Sequence, residues 1–382
     1  MTAPEALADP AQDDARAALA SFSRLIDANP NDAAAWFGAA VAHVRLGDEG
    51  AATIALQKTL TLAPRHFGAL ILSGDVFSRR GDLRAAAAFY ASGVRFAPQD
   101  APPPVAREIA RAEQNCVRIA EEFQSHLASR LSAAGFDPSR SSPGFAKSLA
   151  AFNGGPRLHT AQKPRFYCFP DLPDTPFYDR KDFAWAPALE AATDAIAEEL
   201  AGVLRMPEAF APYVKADKSR PATNDRGMRD NPDWSACHLI ENGAIAPKMA
   251  EACPRTMAAL KHVPLAAVPG RSPSVLFSLL QPGMHIPPHH GFVNTRLIGH
   301  LPLITPPNCL FRVGPETREW EQGKLMLFND TIEHEAWNKS DRLRVVLLFD
   351  FWRPELTEEE RTLVRALFQA VDSYGTKAAS WS

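Results

Sequence analysis

From Ser274 to Trp352 the chain carries five short β-rich runs, SVLFSLLQ, RLIGHLPLI, CLFRV, KLMLFN and RVVLLFDFW, bounded by Pro-Gly, Pro-Pro, Gly-Pro and Gly-Lys turns. Parallel pairing needs a crossover of a dozen or more residues, usually a helix, and no helix-sized insert separates these runs. They are therefore expected to pair antiparallel. The architecture that fits is a jelly-roll or double-stranded β-helix of cupin-like form, whose open mouth is a usual place for a metal.

Two histidines stand beside these runs. His289 lies in PPHHG and His334 in EHEAW, 45 residues on, with Arg344 ten residues after the second. Singly, each histidine reads as an ordinary turn or surface residue. Together, on adjacent strands of a barrel, they present two imidazole nitrogens to one ion. A carboxylate usually completes such a triad two positions after the first histidine, and here that position is Gly291. Asp330, Glu333 and Glu335 are the alternatives, but residues flanking a strand histidine point to the opposite face, and His290 alternates away in the same manner. HEAWN begins like a zinc-protease helix, yet its fifth position is Asn338, and the strand context argues against it.

Arg344 opens the run RVVLLFDFW; facing inward, its planar fork suits the distal carboxylate of a dicarboxylate. Ser278 can donate a hydroxyl to the same group, and His300, in LIGHLPL, can hydrogen-bond a ligand carboxylate or serve as a core histidine.

The N-terminal third is helical in pattern and repeats itself. Pro30, Pro64 and Pro98 are 34 residues apart, and on that period Gly47 falls on Gly81, Asp48 on Asp82, and Ala51 and Ala52 on Ala85 and Ala86. Thirty-four is the tetratricopeptide period. The Gly-Asp pairs are expected to turn between paired helices, with one helix over roughly Ala33–Leu46 offering Trp36, Val41 and Val44 for burial, half a repeat over 14–29 and a closing helix over 105–134. FDPSRSSPGFAKSLAAFNGGP breaks this pattern, giving a helical repeat domain over 1–140, a linker over 141–160 and a β-rich domain with flanking helices over 161–382. In that last stretch, helices are expected from about Asp182 and over 246–261, and NPDWSACHLIENG is expected to form a strand turning at Asn242-Gly243.

Composition narrows the function. A formal charge of -3 with dispersed basic residues gives no reason to expect nucleic acid as a partner. No apolar run reaches membrane-spanning length, the N-terminus is acidic, and the five cysteines form no CxxC pair; a cytoplasmic protein is the expectation, with no membrane partner.

WSACHLIENG, CPRTMAAL, FSLLQPGMHIPPHHGFVNTRLIGHLPL, WEQGKLMLFNDTIEHEAWN and RLRVVLLFDFWRPELT resemble the aspartyl/asparaginyl β-hydroxylases, iron(II)- and 2-oxoglutarate-dependent oxygenases, over roughly Pro164 to the end. Animal members also carry tetratricopeptide repeats. The resemblance implies iron(II) on His289 and His334, 2-oxoglutarate and molecular oxygen as co-substrates, Arg344 and Ser278 on the distal carboxylate, and His300 at its metal-proximal end. It also implies glycine at 291, with water in place of the triad carboxylate. Two departures stand out. Ile298 replaces a co-substrate arginine, for which Arg296 or His300 can compensate, and Ala250 and Met257 replace a cysteine pair, as suits a reducing compartment. The implied reaction is hydroxylation of the β-carbon of Asp or Asn in a peptide or protein held by the repeats. A free amino acid, a natural-product peptide or a lipid are the alternative substrates. A repeat-bearing scaffold that has lost activity is the alternative from another class.

Overall fold

The computed structural model describes residues 10–155, 160–206, 208–214 and 227–374. Its chain forms two compact units, the first mainly residues up to His126, the second Leu127 to Asp372.

The first unit is helical: α1 (Pro10–Ala28), α2 (Ala33–Arg45), α3 (Glu49–Leu62), α4 (Phe67–Arg79), α5 (Leu83–Arg95) and the start of α6 (Pro103–Ala133). The two Gly-Asp pairs act as expected. Gly47 and Gly81 take positive φ of 77° and 74°, which costs a residue without Cβ little. Asp48 and Asp82 then cap α3 and α5, accepting from the N–H of Ala51 at 2.9 Å and Ala85 at 3.0 Å. Burial differs from expectation. The buried positions of α2 are Ala35, Ala39, Ala40 and Ala42, while Trp36, Val41 and Val44 are half-buried. Close helix approach selects alanine, and Trp36 instead donates its indole N–H to the Pro30 carbonyl at 2.9 Å, tying the helix to the turn before it.

The expected linker over 141–160 lies inside the second unit, which starts at Leu127. Residues 143–152 form α7, whose Phe145 is fully buried and whose Ser148 hydroxyl bonds the Tyr167 hydroxyl. Residues 156–159 of that linker, and residues 1–9 and 375–382 of the two expected domains, lie outside the described residues. There follow β1 (Phe177–Tyr178), α8 (Ala186–Ala191), α9 (Thr193–Val203), β2 (Ala211–Pro212), β3 (Trp234–Glu241), β4 (Ala244–Ile245), α10 (Pro247–Ala252) and α11 (Pro254–Ala259). Each expected helix is thus two: Pro254 removes an N–H in mid-helix, and the first breaks at Ala192. Asn242 and Gly243, at φ 53° and 81°, make the β3–β4 turn.

The β core completes the unit with β5 (Val275–Leu280), β6 (His285–His289), β7 (Arg296–Ile304), β8 (Cys309–Val313), β9 (Glu316–Glu319), β10 (Met326–Phe328), β11 (His334–Asn338), β12 (Arg344–Trp352) and, closing it, α12 (Glu358–Asp372). All named strand pairs are antiparallel. The larger sheet runs β1-β10-β7-β12-β5-β3-β2, with β4 beside β3, and the smaller runs β6-β11-β8-β9. Two such facing sheets are the double-stranded β-helix expected from the short connections.

Alternation sets what each face carries. On one face of the larger sheet, Phe277, Leu297, Leu301, Leu347, Phe349 and Phe351 pack under Leu189, Ile196 and Leu200 of α8 and α9. The other face turns Ile298, Leu280 and Val346 toward Ile286, Phe311, Val313 and Ala336 of the smaller sheet. This inner face also receives Ser278, Arg296, His300, Arg344 and Asp350, which share the parity of those residues on β5, β7 and β12.

Candidate metal and co-substrate centre

β6 and β11 are neighbours, and their register sets His334 directly opposite His289. The two imidazole centroids are 4.1 Å apart, tilted by 52°. Each ring is oriented by the chain itself. His289 Nδ1 donates to the Pro287 carbonyl at 2.8 Å and His334 Nδ1 to the Ile332 carbonyl at 3.0 Å, so both Nε2 atoms keep a free lone pair. Burial lowers both from the usual histidine range, which keeps the rings neutral; at His334 the neighbouring His289 adds to the effect. Phe311 and Phe328 flank His334, and Trp234 lies 6.0 Å from His289. Neutral imidazoles held by backbone carbonyls are suitable donors for iron(II). Among the described residues no group of three His, Cys, Asp or Glu gathers as a metal cluster.

Gly291 shows why the usual carboxylate cannot stand there. A Cβ at 291 would run into the carboxylate of Asp330, and the Gly291 N–H donates to the Asp330 carbonyl at 2.6 Å. Asp330 lies in the turn before β11, where strand alternation does not set the direction of its side chain. Glu335 does follow the rule, bonding His285 and Arg312 on the outer side, and Glu333 is exposed near Arg312. Asp330 is 5% exposed, and one carboxylate oxygen lacks a hydrogen-bond partner. Burial raises its pKa to about 6, against the lowering effect of Arg296.

The larger sheet supplies the cations. Arg344 is 2% exposed, and its Nη1 reaches the Ser278 carbonyl at 3.4 Å, which brings these two expected partners together. Among the described residues its Nε has no hydrogen bond and no acidic side chain pairs with it. Burial pulls it down to about 10, still charged near neutral pH. A buried cation without a counter-charge is costly and calls for an anionic ligand. Arg296 is arranged differently. Its Nη1 bonds Asp350 at 2.5 Å and its Nη2 lies 3.7 Å from Asp330, so two carboxylates already neutralise it. His300 opposes Met326 on β10 and Leu348 on β12, with Ile298 two residues back on the same face. Burial, with the Arg344 charge, pushes His300 well below the usual range.

Two aromatic residues were missed from the sequence. Trp320, between β9 and β10, is 6% exposed; its indole donates to His300 Nδ1 at 3.3 Å, and its ring lies 4.8 Å from the Arg344 guanidinium carbon. Trp234, 8% exposed, packs against Tyr213 with ring centroids 4.7 Å apart and tilted by 30°, and its indole N–H has no partner among the described residues. A donor-only group isolated this way was findable only as a tryptophan at a strand start.

The fold is thus a double-stranded β-helix with two facing histidines and a buried arginine on its inner face. Residues 190–354 match the family model described as aspartyl/asparaginyl beta-hydroxylase. Over this segment the chain is similar to that family. The human aspartyl/asparaginyl beta-hydroxylase is 34% identical over 144 residues, which are 37% of this chain and 19% of that protein. The ornithine lipid ester-linked acyl 2-hydroxylase of Rhizobium tropici is 35% identical over 188 residues, 48% of this chain and 62% of that one. The human aspartate beta-hydroxylase domain-containing protein 2 is 29% identical over 212 residues, covering 54% and 55%. The chain thus spans 19% of the human hydroxylase's length and 62% of the lipid hydroxylase's. Among solved structures, a Pseudomonas putida prolyl-4-hydroxylase is 15% identical over 44% of this chain and 87% of its own, with a TM-score of 0.24, a likeness that adds nothing to the strand order above.

Proposed function

We propose that the chain is an iron(II)- and 2-oxoglutarate-dependent hydroxylase of a C–H bond, acting on the β-carbon of Asp or Asn in a peptide or protein. The observation that carries this is Arg344: a buried guanidinium without a counter-charge among the described residues, on the inner face that the two histidines also line. When bound, iron(II) with 2-oxoglutarate and oxygen supplies the oxidising power to break an unactivated C–H bond. His289 and His334 hold the metal through Nε2. Arg344 binds the distal carboxylate with the Ser278 hydroxyl, and His300 donates from Nε2 to the metal-proximal end, taking over a contact that Ile298 cannot make. Phe311, Phe328 and Ile298 keep water from the chamber. The helical repeats of the first unit, on this reading, hold the substrate chain.

A second reading, hydroxylation of a lipid acyl chain, is favoured by the apolar Ile298 and by an Arg296 whose charge Asp350 and Asp330 already neutralise. It also agrees with the name of the Rhizobium relative. One assay tests both: protein, iron(II), 2-oxoglutarate and oxygen with Asp- and Asn-bearing peptides or with acyl lipids, read as succinate and as one oxygen gained by mass spectrometry. The expected product is absent with His334→Ala. No succinate with any substrate overturns the enzyme reading in favour of a scaffold.

A further inference from the structure

We infer that Trp320 is a positioning residue that fixes His300 as its Nε2–H tautomer and holds the Arg344 guanidinium in place. The co-substrate part of this inference rests on the function proposed above; the tautomer part does not. An indole N–H can only donate, so the 3.3 Å bond from Trp320 requires His300 Nδ1 to carry the lone pair and puts the ring's proton on Nε2. An Nδ1–H tautomer or an imidazolium would set two hydrogens against each other. His300 makes no other hydrogen bond among the described residues, which leaves Nε2–H as its one donor.

The same indole holds Arg344, whose carbon lies 4.8 Å from the ring centroid. With no carboxylate beside it among the described residues, the π-face joins the Ser278 carbonyl in offsetting this cation's burial. Phe311, stacked on Trp320 at 5.2 Å and 28°, keeps the indole from turning and touches His300 at 5.4 Å. The wall holding Trp320 and Phe311 therefore presets both groups before any ligand arrives. Gly323, at φ 73° in the following turn, lets the chain double back into β10 and keep the indole inside.

The test is a two-bond proton–nitrogen spectrum of metal-free protein labelled with nitrogen-15 at histidine, with His300→Gln assigning the resonance. The expected result is His300 protonated at Nε2 and bare at Nδ1, and this arm needs no other variant. Trp320→Phe, which keeps the ring but not the donor, should give mixed tautomers while the other histidine signals stay put. It should also weaken 2-oxoglutarate binding in the presence of manganese(II) by about 10- to 100-fold, the range for loss of an orienting partner, with manganese affinity unchanged. A native His300 carrying its proton on Nδ1, or a tautomer indifferent to Trp320→Phe, overturns the inference. Native protein that shows the tautomer yet binds no 2-oxoglutarate overturns the co-substrate reading instead.

Discussion

Arg344→Met should make the ligand-free protein more stable while destroying its response to 2-oxoglutarate. The arginine is 2% exposed and burial draws it down to about 10. At about 1.4 kcal/mol for each pH unit, that depression corresponds to about 3 kcal/mol of unfavourable free energy in the folded state. The sign follows from linkage. A base whose folded value is depressed destabilises wherever both states stay charged, so the penalty is fully present below about pH 10 and fades only above it. Methionine has similar reach and no charge to desolvate, but it forfeits the contact with Trp320, worth about 1–2 kcal/mol at a desolvated site. The net gain is about 1–2 kcal/mol, or a few degrees in melting temperature at about 2–4 °C per kcal/mol for a unit of this size. The assay is thermal unfolding with manganese(II), with and without 2-oxoglutarate. Native protein should gain about 2.7 kcal/mol at one hundred times the dissociation constant, and the variant nothing. A variant that loses stability and still shifts with 2-oxoglutarate would refute the reasoning, because Arg344 would then be balanced by something other than its ligand.

Gly291→Ala drives a methyl into the Asp330 carboxylate and should cost about 1–3 kcal/mol in denaturant unfolding. Combining it with Asp330→Ala should recover most of that loss, since the two changes share one space; strict additivity would show that the clash is relieved elsewhere. Asp330 also predicts a pH dependence. Burial raises its folded value to about 6, above an unfolded carboxylate, so protonation favours the fold and stability from this group rises as pH falls through 6, by about 1 kcal/mol between pH 6 and 5. Asp330→Asn should remove that slope, measured as the denaturant midpoint at each pH, and a slope left intact assigns it to another group. His289→Ala and His334→Ala should each abolish manganese(II) binding by calorimetry, since two protein donors leave none to spare.

The larger sheet was legible because its strands are long and apolar. In RLIGHLPLI and RVVLLFDFW, alternation alone assigns His300, Arg344 and Arg296 to the face opposite Leu301 and Phe349, and the register confirms this residue by residue. The strands that hold the metal candidates were less legible. β6 is HIPPH, an edge strand with two prolines, and β11 is HEAWN, with a glutamate turned outward; neither has the period or propensity of a strand. They are strands because each pairs across a smaller sheet whose inner side is closed by Phe311 and Val313. That is a tertiary reason, invisible in five residues. Likewise, 34-residue spacing placed the helical turns, but which side chains are buried depended on how closely the helices approach.

Asp330, legible in the sequence only as an alternative triad carboxylate, Trp320 and Trp234 hid their roles for a common reason. The first two sit in connections and the third at a strand start, where no period tells which way a side chain points. They nonetheless govern what the predicted residues can do. Asp330 fills the space that a side chain at 291 would take and helps Asp350 neutralise Arg296, so one turn residue both keeps position 291 without a carboxylate and satisfies a buried cation. Arg344 is then left, among the described residues, as a buried cation of this inner face without a carboxylate partner. On the proposed reading, a dicarboxylate entering the chamber would find its strong anchor at Arg344 and turn its other end toward His289, His334 and His300. That asymmetry orients it in one direction.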